Sequence, residues 1–230
     1  MQKVLATILL GLGLVGCKAQ MTTELHVSDI NNPASNGKII QSLATVEIMG
    51  ACEEDGAETD TLAKVDGIMY NLFKTKQERL SCEKKDDYGL ESIVTYSYDV
   101  SLDTIQDAEY PKDGKGKEYP LSLIANTDNG AVALNATEVF KKRLSSRLKS
   151  NSDVKFEINI NFINDVKTKV KFRSPSIYVH HKGKYSPFQY AAFTINSGTF
   201  FTRLGSIGKD LLIQPKQSVL IGYLTYDKPD

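Results

Sequence analysis

Three glycines near the start of the chain have the spacing of a phosphate-binding loop. Gly11, Gly13 and Gly16 spell G-x-G-x-x-G, with which a dinucleotide-binding loop holds a pyrophosphate on its backbone amides. That chemistry also needs a strand before the glycines, a helix after them and an acidic residue about 20 positions further on. None of these features is present, so the sequence predicts no cofactor at these glycines.

The same glycines lie in a segment with the anatomy of a secretory signal peptide. Lys3 gives the segment a cationic start, and the residues from Val4 to Val15 form an uncharged apolar run. Gly16 then supplies a small residue before Cys17. The run is too short for a spanning helix, which takes about 20 apolar residues.

The sequence Leu14-Val15-Gly16-Cys17 resembles the lipobox of bacterial lipoprotein precursors. The resemblance implies that residues 1–16 are a signal peptide that is removed and that Cys17 becomes the lipidated first residue. One acyl chain binds a membrane only marginally, whereas several anchor a protein stably, and mature lipoproteins of that family carry two or three. In enteric bacteria an Asp directly after the lipidated cysteine favours retention in the inner membrane. Lys18 at that position therefore resembles the pattern of lipoproteins that are sorted to the outer membrane. We expect a lipid anchor in the outer membrane, facing the periplasm or the cell surface; a secreted protein with a coincidental cysteine is the alternative.

Two further cysteines predict a disulfide. Once Cys17 is assigned to lipid, Cys52 and Cys82 remain as an even pair in an oxidising compartment. A disulfide between them closes a loop of about 30 residues and stabilises the fold by roughly 3.5 kcal/mol in the chain-entropy model. Two buried free thiols are the alternative.

Two helices are predicted, and both precede residue 152. The first has N-cap candidates at Thr59 and Asp60, followed by apolar residues at helical spacing, namely Leu62, Val65, Ile68, Met69, Leu72 and Phe73. The second begins at Asn135, which has the capping-box spacing with Glu138. Its apolar stripe consists of Phe140, Leu144 and Leu148.

The other segments alternate apolar and polar residues and indicate strands. Residues 154–162 and 166–172 are expected to form a hairpin with a three-residue connection, because this register keeps both apolar sets on one face. We expect an α+β fold, in which an antiparallel sheet with two helices (residues 17–152) is followed by an all-β, sandwich-like part (residues 153–230).

The charge of the chain is unevenly distributed. Residues 18–110 hold 8 Lys and Arg against 18 Asp and Glu, whereas residues 111–230 hold 19 against 10. The second helix and the second strand of the hairpin concentrate the cations that could bind an anionic surface: Lys141, Lys142, Arg143, Arg147, Lys167, Lys169, Lys171 and Arg173. A solvated sheet face whose lysines discourage edge pairing is the alternative.

No pattern in the sequence predicts a catalytic residue, a metal site or a cofactor. His180 and His181 are consecutive, so on a strand their rings point to opposite faces and do not share a metal easily. The acidic run from Cys52 to Asp60 lacks the alternating carboxylates of a calcium loop. Nucleic acid is not expected as a partner, because no recognition module is visible.

The mature region resembles uncharacterised lipoproteins carried by enterobacteria and their phages, in the segments "ELHVSD", "EININFINDV", "SIYVHHKGK" and "LLIQPKQSVLIGY". This resemblance implies an envelope role, such as the exclusion of a superinfecting phage, and supplies no catalytic residue. We expect non-enzymatic binding, scaffolding or envelope modification, with the membrane bound through the lipid. Anionic lipid, lipopolysaccharide or an envelope protein are the expected partners. The alternative is a periplasmic envelope hydrolase with a dispersed site, around His26, His180 or several carboxylates.

Overall fold

A computed structural model describes nine segments of the chain: residues 18–53, 57–85, 90–106, 118–150, 155–166, 168–174, 177–181, 184–188 and 191–226. Only the backbone is described at residues 75, 150, 179–181, 184–188 and 191. Cys17 and Lys167 lie outside the described residues, as does the rest of the signal segment. The described part folds into one curled, mixed sheet with helices packed on it.

Thirteen strands of the described residues belong to this sheet. They are β1 Lys18–His26, β2 Lys38–Met49, β3 Gln77–Lys84, β4 Glu91–Ile105, β5 Leu121–Asn126, β6 Ala131–Ala136, β7 Lys155–Asn164, β8 Val170–Ser174, β9 Ile177–His181, β10 Lys184–Phe188, β11 Ala191–Ile195, β12 Gly198–Leu204 and β13 Val219–Tyr226. Their order is β10-β9-β12-β7-β1-β2-β4-β5-β6-β13-β8-β11, and β3 pairs with the first half of β4. The α-helices are α1 Val27–Ile30, α2 Asp60–Phe73, α3 Glu138–Ser150 and α4 Ser206–Leu212.

The expected fold class, an α+β part followed by an all-β part, is wrong. Strands from before and after residue 152 share the sheet, since β7 runs parallel to β1 and β13 pairs with β6. A helix, α4, also interrupts the late strands. Alternation of apolar residues identifies a strand but carries little information about its partner, which is decided by burial over the whole chain.

The expected hairpin of β7 and β8 is wrong for the same reason. β7 lies between β1 and β12, and β8 lies between β11 and β13. The alternation within β7 is correct, because Ile158, Ile160 and Phe162 are all buried. However, Asn159 and Asn161, which alternate with these apolar residues, are also buried.

The core has two aromatic groups at different places on the sheet. Phe73 of α2 packs against Tyr98 of β4 and Phe140 of α3, with ring centroids 4.6 and 5.5 Å apart. Phe172 of β8 packs against Phe162 of β7, at 5.3 Å. β7 and β8 are far apart in the hydrogen-bonded order, so this contact requires the sheet to curl until distant strands face each other.

Local chemistry explains where α2 and α3 begin. Thr59 caps α2 as predicted, and its hydroxyl accepts a hydrogen bond of 3.0 Å from the Leu62 amide. The predicted cap of α3 at Asn135 is wrong, because Asn135 lies within β6. Thr137 takes that role, and its hydroxyl accepts from the Phe140 amide.

The predicted disulfide between Cys52 and Cys82 is confirmed, with 5.5 Å between the two Cα atoms. It joins the segment before α2 to β3, the strand that follows this helix. The disulfide therefore ties the segment that enters α2 to β3, which lies on the edge of β4 opposite to β2.

Candidate functional site

The cations predicted on the second helix lie on α3, and Lys141 is the one that is buried. Its side chain is only 3% exposed. The Lys141 ammonium donates to the carbonyl oxygen of Gln217 at 2.7 Å and to Glu138 Oε1 at 3.2 Å. The hydrogen bond from the Lys216 amide holds the pKa of Glu138 below its usual value, and Lys141 adds to this effect. Lys141 therefore fastens α3 to the segment before β13 and does not present its charge at the surface.

The other cations of α3 line a groove between α2 and α3, which we call the basic groove. Lys142 and Arg147 are exposed, and Arg143 is half-buried. Arg143 donates from Nη1 to the backbone carbonyl of Asn71, near the end of α2, which holds its guanidinium in place. The groove has a volume of about 610 Å³. Its remaining walls are Ile68, Leu72, Val139 and Ser146.

The cations predicted on the hairpin strand lie elsewhere. Lys171 and Arg173 are exposed on β8, and Lys169 is exposed just before it. β8 lies between β11 and β13, and every lining residue of the basic groove belongs to α2 or α3. The structure therefore brings together Lys142, Arg143 and Arg147, but it does not add the β8 cations to that groove.

An apolar cavity of about 90 Å³ lies between α2, α3 and the strands β1, β2 and β7. Small residues contribute to this space, because Ala19 of β1 and Ala44 of β2 are both in its wall. The rest of the wall is Gln20, Met21, Thr45, Val46, Val65, Ile68, Met69, Leu72, Phe73, Leu144, Arg147, Leu148 and Phe156. The cavity and the basic groove share Ile68, Leu72 and Arg147, so they adjoin.

This cavity is not predictable from the sequence. The apolar stripes of α2 and α3 are, but the space beneath them depends on which strand residues face the helices. The sequence does contain one indication of the adjoining basic groove. Arg143 and Arg147 are four positions apart on a helix, so they lie on one face beside the apolar stripe.

A row of alternating charges crosses the strands at the beginning of β1. Lys18 Nζ lies 3.7 Å from Glu47 on β2 and 3.8 Å from Glu157 on β7. Arg203 pairs with Glu157 at 2.8 Å, and Lys85 pairs with Glu47 at 2.9 Å. The hydrogen bond from Lys85 lowers the pKa of Glu47; partial burial opposes this, and Lys18 lowers the pKa further. The row thus neutralises the charge of Lys18, the residue that follows Cys17.

His26, Ser28 and Asp165 form a group that contains the residue types of a hydrolase triad. Ser28 donates to Asp165 Oδ2 at 2.6 Å through its hydroxyl and to Oδ1 at 3.0 Å through its amide. His26 Nδ1 lies 3.1 Å from the same carboxylate. In a Ser-His-Asp triad the serine donates to the histidine instead. The group has the form of a carboxylate cap on α1, which ties the end of β7 to the end of β1.

Burial acts to raise the pKa of Asp165, but the hydrogen bonds of this cap outweigh it. They come from the hydroxyl and the amide of Ser28, with smaller contributions from the Asp165 amide and His26. The pKa of Asp165 therefore lies below its usual value.

Within the described side chains, no three His, Cys, Asp or Glu residues are grouped to hold a metal ion. The side chains of His180 and His181 fall outside that description. Among the described helices, none has both the length and the apolar composition to cross a membrane.

The described residues form a curled mixed sheet that carries a basic two-helix groove beside an apolar cavity. The chain matches the family described as a domain of unknown function (DUF7424) over residues 19–228 and belongs to that family. A search of the curated proteins found no match to this sequence.

Proposed function

We propose that this chain is a lipoprotein of the bacterial cell envelope, anchored in the outer membrane through Cys17, and that its folded part binds an anionic partner. The observation that carries the proposal is the lipobox Leu14-Val15-Gly16-Cys17, which is followed directly by the first strand at Lys18. Several acyl chains on one cysteine make such an anchor stable.

The position of the anchor supports a role at the membrane surface. Only Lys18 separates Cys17 from Ala19, Gln20 and Met21, which line the apolar cavity. The basic groove adjoins that cavity. A lipid on Cys17 therefore holds this end of the sheet, with the groove, close to the headgroups of the membrane.

The basic groove supports binding of an anion. Lys142, Arg143 and Arg147 line it, and each residue in its wall is either apolar, neutral or cationic. Clustered cations attract anionic lipids, lipopolysaccharide or acidic proteins. The confirmed disulfide is consistent with an oxidising compartment, where such partners occur. Exclusion of a superinfecting phage is one envelope role for this binding. It is measured as the plating efficiency of phages on cells that produce the protein, compared with cells that do not.

Metabolic labelling with a palmitate analogue tests the anchor. The wild-type chain should be labelled and should fractionate with the outer membrane, whereas Cys17→Ser should carry no label. The double variant Cys52→Ser/Cys82→Ser is the matched control, because it loses two cysteines and should keep the label. Equal labelling of wild type and Cys17→Ser would overturn the proposal.

A further inference from the structure

We propose that the apolar cavity and the basic groove together bind one single-chain anionic lipid, such as a fatty acid, with its methyl end in the cavity and its head at Arg143 and Arg147. The inference rests on the proposed function for the location of the site. It goes beyond that function by naming the ligand class and its orientation.

The chemistry of the cavity selects an acyl chain. Its wall is apolar except for Gln20, Thr45 and Arg147. At about 90 Å³ the cavity is smaller than the roughly 150 Å³ apolar cavity that admits benzene, and it has room for the last few carbons of a straight chain.

The groove supplies the rest of the binding path. It adjoins the cavity at Ile68, Leu72 and Arg147, so a chain leaving the cavity passes over these residues. Val139, which is 56% exposed, adds an apolar surface to the same groove. An exposed apolar side chain among cations is suited to the boundary between a lipid tail and its head.

The cations determine the charge of the head. Arg143 and Arg147 are four residues apart on α3 and therefore neighbours on its surface. Arginine binds carboxylate and phosphate groups through paired hydrogen bonds. A carboxylate or a single phosphate is therefore the expected head.

The ligand is a lipid separate from the anchor of the chain itself. We assign the acyl chains on Cys17 to the bilayer, because a stable anchor takes at least two of them. The site is then supplied by single-chain lipids of the surrounding membrane.

The test uses the full lipidated protein in phosphatidylcholine vesicles, with a photoreactive palmitic acid as the probe. We expect crosslinks in the peptides of α2 and α3 that line the cavity. Unlabelled palmitate should compete for this site, and uncharged methyl palmitate should compete far less. Equal competition by the two would overturn the assignment of an anionic head.

Filling the cavity tests where the tail lies. Ala44→Leu should lower crosslinking about tenfold, the loss expected when two methylene groups are no longer buried. Leu43→Ala is the matched control on the exposed face of β2 and should change nothing. Ala19→Leu fills the same space from β1 if Ala44→Leu does not fold, as judged by thermal unfolding. Undiminished crosslinking in a folded filled variant would overturn the proposal.

Two paired variants test the head. Arg143→Gln/Arg147→Gln should reduce crosslinking, whereas Lys171→Gln/Arg173→Gln removes the same charge from β8 and should not. An equal effect of both pairs would mean that general attraction, and not this groove, holds the probe.

The outcomes separate this proposal from the anchor. A wild-type protein that floats with vesicles but gives no crosslink overturns the lipid site and leaves the anchor intact. Crosslinking only in Cys17→Ser would mean that the chain's own lipid fills the cavity, which overturns the choice of a separate ligand.

Discussion

Replacing Lys141 should destabilise the fold, although its neighbour Lys142 can be replaced without cost. The Lys141 ammonium is buried and satisfies the carbonyl oxygen of Gln217. A hydrogen bond to a charged group contributes about 1.5–3 kcal/mol, whereas the ion pair with the exposed Glu138 contributes at most about 1 kcal/mol. Lys141→Met keeps most of the buried stem, so we expect the free energy of unfolding to fall by about 2 kcal/mol. Lys141→Ala also removes the stem and should cost about 1–2 kcal/mol more.

Urea unfolding of the oxidised protein, followed by circular dichroism, measures these differences. Lys142→Met and Lys142→Ala are the matched controls, since surface substitutions usually change stability by no more than about 0.5 kcal/mol. If Lys141→Met and Lys142→Met had the same midpoint, the buried position of Lys141 would be refuted. Lys141 would then count among the exposed cations beside the basic groove.

Four further changes should alter stability in defined directions. Reducing the disulfide of Cys52 and Cys82 should lower the free energy of unfolding by about 3.5 kcal/mol, and an unchanged urea midpoint would contradict this. Gly130→Ala should lower the free energy of unfolding by about 3 kcal/mol, because φ is +70° and the new Cβ would lie 1.7 Å from a carbonyl oxygen of β13. Gly67→Ala, in open space on α2, should instead raise it by about 0.5–1 kcal/mol. Asp165 has a lowered pKa, so its stabilisation is present above about pH 4 and is lost as the pH falls through the folded-state pKa. Asp165→Asn should therefore make the free energy of unfolding less dependent on pH below about pH 4. An unchanged pH dependence in that range would show that the cap is not formed.

Local features of the chain were predictable from sequence, because they depend on neighbouring residues. Thr59 caps α2 as expected, and the two cysteines that flank this helix are bonded. The cap of α3 lies two residues after the predicted one, since Asn135 and Thr137 both precede an apolar stripe and both can accept an amide hydrogen bond. Only the pairing of β6 decides between them.

The partners of the strands were not predictable, because the same alternating pattern fits several neighbours. β7 has a clear apolar face, yet it pairs with β1 and β12 and not with β8. Asn159 and Asn161 on its other face are buried, which a pattern of polar residues cannot indicate. The fold class was wrong for this reason.

The candidate site was predictable in part. The cations of α3 could be read from the sequence, but Lys141 and Lys142 differ only in a rotation of about 100° around the helix axis, which follows from 3.6 residues per turn. That rotation buries one of them and exposes the other. The cavity could not be foreseen, because it depends on alanines of β1 and β2 that come together only in the folded sheet.

The parallel pairing of β1 with β7 also constrains the order of folding. Among the described strands β1 is synthesised first, and one of its edges stays open until β7 is made, since Lys18 pairs with Lys155 and Asn159 bonds to Thr22 across 137 residues. Contacts over such separations form slowly, and an unpaired edge invites pairing with other chains. The strand nearest the proposed anchor therefore keeps one edge open until β7 has been exported, and the chain needs shielding from other chains for that time.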